Sequence, residues 1–130
     1  MLLTTTLTTA AAAAIINIWL SIRCGQIRTK ASISIGTGGN EMLERRMRAQ
    51  SNFVENTPWV LALIAALELA GKGGQWLPYV AGIYMLGRIA HGLGMDGTNF
   101  GKGRMIGTLI TMVTQVGLAA IAALVATGNM

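Results

Sequence analysis

Residues 41–71 read EMLERRMRAQSNFVENTPWVLALIAALELAG, a run that changes from strongly polar to largely apolar before it reaches its only glycine. Asn40 is placed to cap the start of a helix, and Gly71 is placed to end it. Polar side chains recur in this run with the spacing 4, 3, 4, 3, which puts them on one stripe: Glu41, Arg45, Arg48, Asn52 and Glu55. The run therefore predicts one long helix that is polar at its start and apolar further on.

The composition of the whole chain indicates the environment of that helix. Of the 130 residues, 52% are hydrophobic and only 12% are charged, against about 25% charged in an ordinary soluble domain. Mean hydropathy is +0.54. This composition excludes a disordered chain, and a single cysteine excludes a disulfide framework. We therefore expect one integral membrane domain over residues 1–130, which needs lipid or copies of itself to cover its apolar surface.

Three further apolar stretches flank this helix. Together they predict an all-α, integral membrane four-helix bundle with helices at about residues 2–23, 41–71, 76–97 and 103–127, and a glycine-containing loop over residues 29–40. The first stretch could instead be a signal peptide, but basic residues follow it rather than precede it. Gly103 and Gly107 form a small-xxx-small step that favours a close helix contact.

The basic residues predict the topology. Ten Lys and Arg face five Asp and Glu, giving a net charge of +5. Most lie in the first and third connections, namely Arg23, Arg28, Lys30, Arg45, Arg46 and Arg48, then Arg88, Lys102 and Arg104. With four crossings, the positive-inside rule places both connections in the cytoplasm and both termini outside. Nucleic-acid binding, the usual meaning of a basic chain in a soluble protein, is not expected here.

Ionisable residues converge on the same end of the predicted bundle. Arg88, His91 and Met95 share one face of the third helix at i, i+3 and i+7, and Arg104 opens the fourth. With the stripe of the second helix they predict a polar, net cationic cavity open to the cytoplasm, because ionisable groups in a bilayer face protein or water. Three alternatives remain open: interhelical salt bridges along the stripe, an Arg88 that snorkels to the interface, and a structural His91.

No metal site is expected, because the chain has one histidine and one cysteine, and these lie far apart in sequence. We interpret Cys24 as a small apolar residue at the end of the first helix.

The run Glu44–Pro58, ERRMRAQSNFVENTP, closely resembles the signature of the MAPEG family, membrane-associated proteins in eicosanoid and glutathione metabolism. The family pattern is E-R-x-x-R-A-x-x-N-x-x-E-x-x-P at the start of the second of four transmembrane helices. Residues 36–39, 67–71 and 87–91 also agree with the family, so the resemblance covers essentially the whole chain. These segments are similar to the bacterial branch of the family.

The resemblance implies a homotrimer in a bacterial inner membrane, with both termini periplasmic. Glutathione, as co-substrate, would bind between subunits near the cytoplasmic face. Its implied ligands are Arg28, Arg48, Asn52 and Glu55, and the convergence described above adds Arg88 and His91. Arg104 would activate the thiol, with Lys102 as its competitor for that role. The implied activity is that of a glutathione S-transferase or peroxidase acting on a lipophilic electrophile or lipid.

Some features depart from the family pattern. Asn56 stands where many members have a tyrosine, and His91 and Met95 stand where some have tyrosines that hold the tripeptide. Two other functions remain open. A non-catalytic lipid- or glutathione-binding scaffold would keep the fold without the chemistry. A small multidrug exporter would also have four short helices, but its membrane glutamate would be expected away from an arginine cluster.

Overall fold

The computed structural model describes residues 1–97 and 101–130, which form four α-helices and no strand. The helices are α1 (Thr4–Ala31), α2 (Glu41–Leu69), α3 (Leu77–Gly94) and α4 (Lys102–Ala126). The predicted start of α2 is confirmed, because Asn40 Oδ1 accepts a hydrogen bond from the backbone N–H of Leu43 at 2.9 Å. Gly71, with φ +72°, follows the end of α2 in the left-handed conformation that favours glycine.

The end of α1 differs from the prediction. The helix was expected to stop near residue 23, where apolar residues give way to basic ones, yet it continues to Ala31, so residues 29–31 are not loop. A helix needs backbone hydrogen bonds rather than apolar side chains, and arginine and glutamine are good helix formers. Arg28 and Lys30 in the last turn also favour the negative end of the helix dipole.

The helices pack in two close pairs, α1 with α2 and α3 with α4. Helices α3 and α4 can approach closely because glycines lie at their contact. A Cβ on Gly107 would lie 2.6 Å from the carbonyl oxygen of Gly87, and a Cβ on Gly103 would lie 2.7 Å from the carbonyl oxygen of Ala90. The predicted close contact at Gly103 and Gly107 is therefore confirmed, and α3 is the partner helix. This packing holds the start of α4 against the end of α3.

Apolar side chains lie on the outside of the four helices as well as between them. Ile15, Val113 and Val116 are each more than 65% exposed, whereas Ile64 and Leu77 are fully buried. By length and composition, α1 and α4 could each cross a membrane. In the part of the chain described, α2, α3 and the start of α4 carry the polar residues that line the site.

A contact between α1 and α2 caps the start of α1. Glu68 accepts hydrogen bonds from the backbone N–H groups of Thr5 at 2.9 Å and Thr6 at 3.1 Å. These donors have no partner within their own helix, and a carboxylate there also interacts favourably with the helix dipole. The capping role of Glu68 depends on a contact between two helices 62 and 63 residues apart in sequence, so it is a structural finding.

We expect Glu68→Gln to lower the Tm in detergent, because the amide keeps the shape of the side chain but removes the charge that faces the start of α1. Thermal unfolding measures the change. Lys72→Gln is the control, since Lys72 is exposed beyond the end of α2, four residues after Glu68, and also loses its charge. Equal Tm values for the two variants would contradict the capping role.

Candidate functional site

A cavity of about 310 Å³ lies between the first half of α2, the end of α3 and the start of α4. It is lined by Arg48, Ser51, Asn52, Glu55, His91, Met95, Arg104 and Thr108. A smaller cavity of about 210 Å³ shares Arg48, Met95 and Arg104 with it and adds Glu41, Glu44 and Arg45. The larger cavity is the candidate site, because it gathers polar and charged groups from three helices.

The stripe of α2 supplies one wall of the cavity. Arg48, Asn52 and Glu55 all line it, as their spacing predicted. With Arg104 opposite, two guanidinium groups face one carboxylate, so the cavity is polar and net cationic, again as predicted. Such a set suits a small anion that also carries an ammonium group. The roles of these residues as ligands stay predictions.

Among the residues described, the ion pair of the stripe does not run between helices. Arg45 pairs with Glu41 within α2 at 2.6 Å, one helical turn away. The other ion pairs among the residues described join Asp96 to Arg23 and to Arg46. These two pairs tie the end of α3 to α1 and α2, one residue after Met95. Arg23 and Arg46, which served as topology signals in the sequence, thus have structural partners here.

Arg88 lies behind the cavity wall rather than on it. Its side chain is 1% exposed, so the alternative that it snorkels to the interface is wrong. One terminal nitrogen donates to Asn52 Oδ1 at 2.6 Å and the other to Thr111 Oγ1 at 2.8 Å. The guanidinium carbon also lies 5.9 Å from the centre of the Phe53 ring. Arg88 therefore contacts a residue that lines the cavity without lining it itself.

His91 and Arg104 face the cavity from neighbouring helices. His91 is 3% exposed, and its Nδ1 has no hydrogen-bond partner in the described ranges. The backbone of His91 packs on Gly107, three residues after Arg104, so the glycine contact sets the distance between the two walls. Met95 completes this wall one turn after His91.

Two predicted basic residues lie elsewhere. Arg28 donates to the carbonyl oxygen of Gly36 at 2.9 Å and lies beside Met47, on the α1–α2 side of the protomer. Within one chain the structure does not bring Arg28 to the cavity, so a role there requires another copy. Lys102 is exposed and is not among the lining residues, whereas Arg104 is.

Sequence reasoning missed a polar stripe on α4. Arg104, Thr108, Thr111 and Gln115 follow the spacing 4, 3, 4 in an otherwise apolar helix, a signal that was available. Gln115 Nε2 donates to Asn56 Oδ1 at 2.8 Å, and Asn56 Nδ2 donates to the backbone carbonyl of Asn52 at 2.8 Å. The stripe thus holds α4 against the polar face of α2.

Cys24 is buried, as the sequence predicted for a small apolar residue, but it lies seven residues before the end of α1 rather than at its end. Its Sγ donates a hydrogen bond to Gln50 Oε1 at 3.8 Å.

The family model described as MAPEG family matches residues 6–124. The matched range runs from the first turn of α1 to the last turn of α4 and contains every residue that lines the cavity. No curated protein matches the chain.

Proposed function

The chain belongs to the MAPEG family, and from that premise we propose that it is a glutathione-dependent membrane transferase that also reduces lipid hydroperoxides. The observation that carries the proposal is the cavity itself, where Arg48 and Glu55 match one carboxylate and the ammonium of glutathione and Arg104 supplies a cation for its thiolate. Its volume of about 310 Å³ lies at the lower end of the usual range for small-molecule sites.

The membrane setting follows from two observations. Two of the helices in the described ranges are long and apolar enough to span a bilayer, and the chain belongs to a membrane-associated family, so it is an integral membrane protein. We propose four crossings of a bacterial inner membrane, with the basic connections in the cytoplasm and both termini in the periplasm. A lipophilic substrate would then reach the cavity laterally from the bilayer.

Binding follows from the chemistry of each lining group. Arginine forms paired hydrogen bonds with a carboxylate, which suits Arg48, and a glutamate such as Glu55 takes the ammonium. The second carboxylate needs a further cation. Arg28 lies outside the cavity of its own chain, so in the proposed homotrimer a neighbouring copy supplies it.

The reaction begins with ionisation of the glutathione thiol, because the thiolate is the nucleophile. Arg104 lines the cavity and stabilises the thiolate. In conjugation the sulfur forms a bond to an electrophilic carbon, and the leaving group departs with the electron pair. In peroxide reduction the sulfur attacks the terminal oxygen and the O–O bond breaks. The resulting alkoxide takes a proton, and a second glutathione converts the sulfenic acid to a disulfide and water.

The first test is a titration of the purified protein with glutathione, in which the ultraviolet absorbance of the thiolate is measured. The second test measures the turnover of a panel of electrophiles. We expect a saturable thiolate signal at neutral pH, together with product formation. Binding without turnover would favour the non-catalytic scaffold. Proton-coupled efflux from proteoliposomes without any thiolate signal would favour the exporter.

A further inference from the structure

Arg88 is a buried cation without a carboxylate partner in the ranges described. Its side chain is 1% exposed, and no ion pair of the described residues includes it. A buried charge is costly unless its hydrogen bonds are satisfied. Two of its three nitrogens donate, one to Asn52 and one to Thr111, whereas Nε has no partner among the described residues. One of the two hydrogen bonds that Arg88 donates therefore goes to a residue that lines the cavity, Asn52.

The contact between Arg88 and Asn52 fixes the orientation of the Asn52 amide. A guanidinium group can only donate hydrogen bonds, so the atom that faces it must be the carbonyl oxygen, Oδ1. The other end of the amide, Nδ2, carries two donors and has no acceptor in the described part of the chain. Because Asn52 lines the cavity, Nδ2 is the end available to a ligand.

The backbone of Asn52 is held from α4 in the same way. Its carbonyl oxygen can only accept, so the donor at 2.8 Å must be Asn56 Nδ2. Asn56 Oδ1 in turn accepts from Gln115 Nε2. The position of Asn52 is therefore set by α3 through Arg88 and by α4 through Gln115, before any ligand binds.

We infer that Arg88 is a positioning residue, which turns the donor end of the Asn52 amide into the cavity. Resting on the proposed function, this means that Asn52 binds a carboxylate or carbonyl oxygen of glutathione and not its ammonium. Arg88 itself does not touch the tripeptide, in contrast to the ligand role that the sequence suggested. The ammonium is left to Glu55, the one carboxylate that lines the cavity.

The decisive variant is Asn52→Asp, tested by calorimetry with glutathione. An aspartate keeps an oxygen toward Arg88 and gains an ion pair, so the fold is retained. It replaces the donor that faces the cavity with a second acceptor. We expect binding to weaken by about tenfold or more. Unchanged or tighter binding would overturn the inference, because that is the result expected if Asn52 binds the ammonium.

A double-mutant cycle separates positioning from general structural damage. We expect Arg88→Met to weaken glutathione binding several-fold in the native background and to have little further effect with Asn52→Ala, since no amide is then left to orient. An equal loss in both backgrounds would overturn the positioning role. Native protein that does not bind glutathione at all would instead overturn the proposed function, and the inference with it.

Discussion

Replacement of Arg104 by alanine is expected to remove the thiolate signal at neutral pH while the fold is kept. Lowering the pKa of a thiol from about 8.5 to about 6.5 requires roughly 2.7 kcal/mol. One guanidinium roughly 4 Å from the sulfur, at an effective dielectric constant near 20, supplies about 4 kcal/mol. A single arginine is therefore sufficient, and at pH 7 the ionised fraction should fall from about three-quarters to about 3% in the variant.

The pH dependence of turnover provides the measurement. In the native protein the rate should rise with pH and level off above the lowered thiol pKa, because the deprotonated form reacts. In Arg104→Ala the same rise should appear at a pH about two units higher. Lys102→Ala is the control, since Lys102 lies in the same turn of α4 but is exposed and does not line the cavity. If Lys102→Ala shifted the profile and Arg104→Ala did not, the assignment would be reversed.

Substitution of Gly107 by alanine should have a large effect on stability. The added Cβ would lie 2.6 Å from the carbonyl oxygen of Gly87 and 2.5 Å from the Cβ of His91. Neither backbone can give way locally, so α4 must move off α3. Overpacking of this kind costs about 1–3 kcal/mol. Because His91 and Arg104 line neighbouring walls of the cavity beside this contact, glutathione binding should also be lost.

Gly117→Ala is the matched control for this substitution. Gly117 lies further along α4, and a Cβ there would meet nothing within 4 Å. Alanine is a better helix former than glycine by about 1 kcal/mol, so this variant should be unchanged or more stable. Thermal unfolding in detergent and calorimetry would measure both effects. A Gly107→Ala protein as stable as the Gly117→Ala protein would show that the two helices are not held by this contact.

The sequence predicted the elements that periodicity controls. The stripe on α2 and the His91–Met95 face of α3 line one cavity because residues three and four apart share a helix face whatever the tertiary structure. The start of α2 was also predictable, since Asn40 caps it through a local hydrogen bond. The end of α1 was not, because the change from apolar to basic residues marks a change of environment rather than of backbone conformation.

The rest depends on contacts between helices. Arg88 lies three residues before His91, so the two residues share a face of α3. The sequence does not give the rotation of α3 relative to α2, and that rotation brings Arg88 to Asn52 from behind the cavity wall. The α4 stripe was overlooked because threonine and glutamine are uncharged and stand out less than arginine. The sequence likewise gives no indication of a role for Asp96, although Arg23 of α1 and Arg46 of α2 both form ion pairs with it.

The hydrogen bond between Arg88 and Asn52 has a consequence for the insertion of the chain into the bilayer during synthesis. In the proposed topology with four crossings, α3 alone would carry a guanidinium into lipid and α2 alone would carry an unpartnered amide, each at a considerable cost. Residues 70–76 form the short turn between them, so the two segments can meet as soon as both have left the ribosome. Insertion as a hairpin, with the polar groups already joined, is the pathway this arrangement favours, whereas α1 and α4 are apolar enough to insert singly.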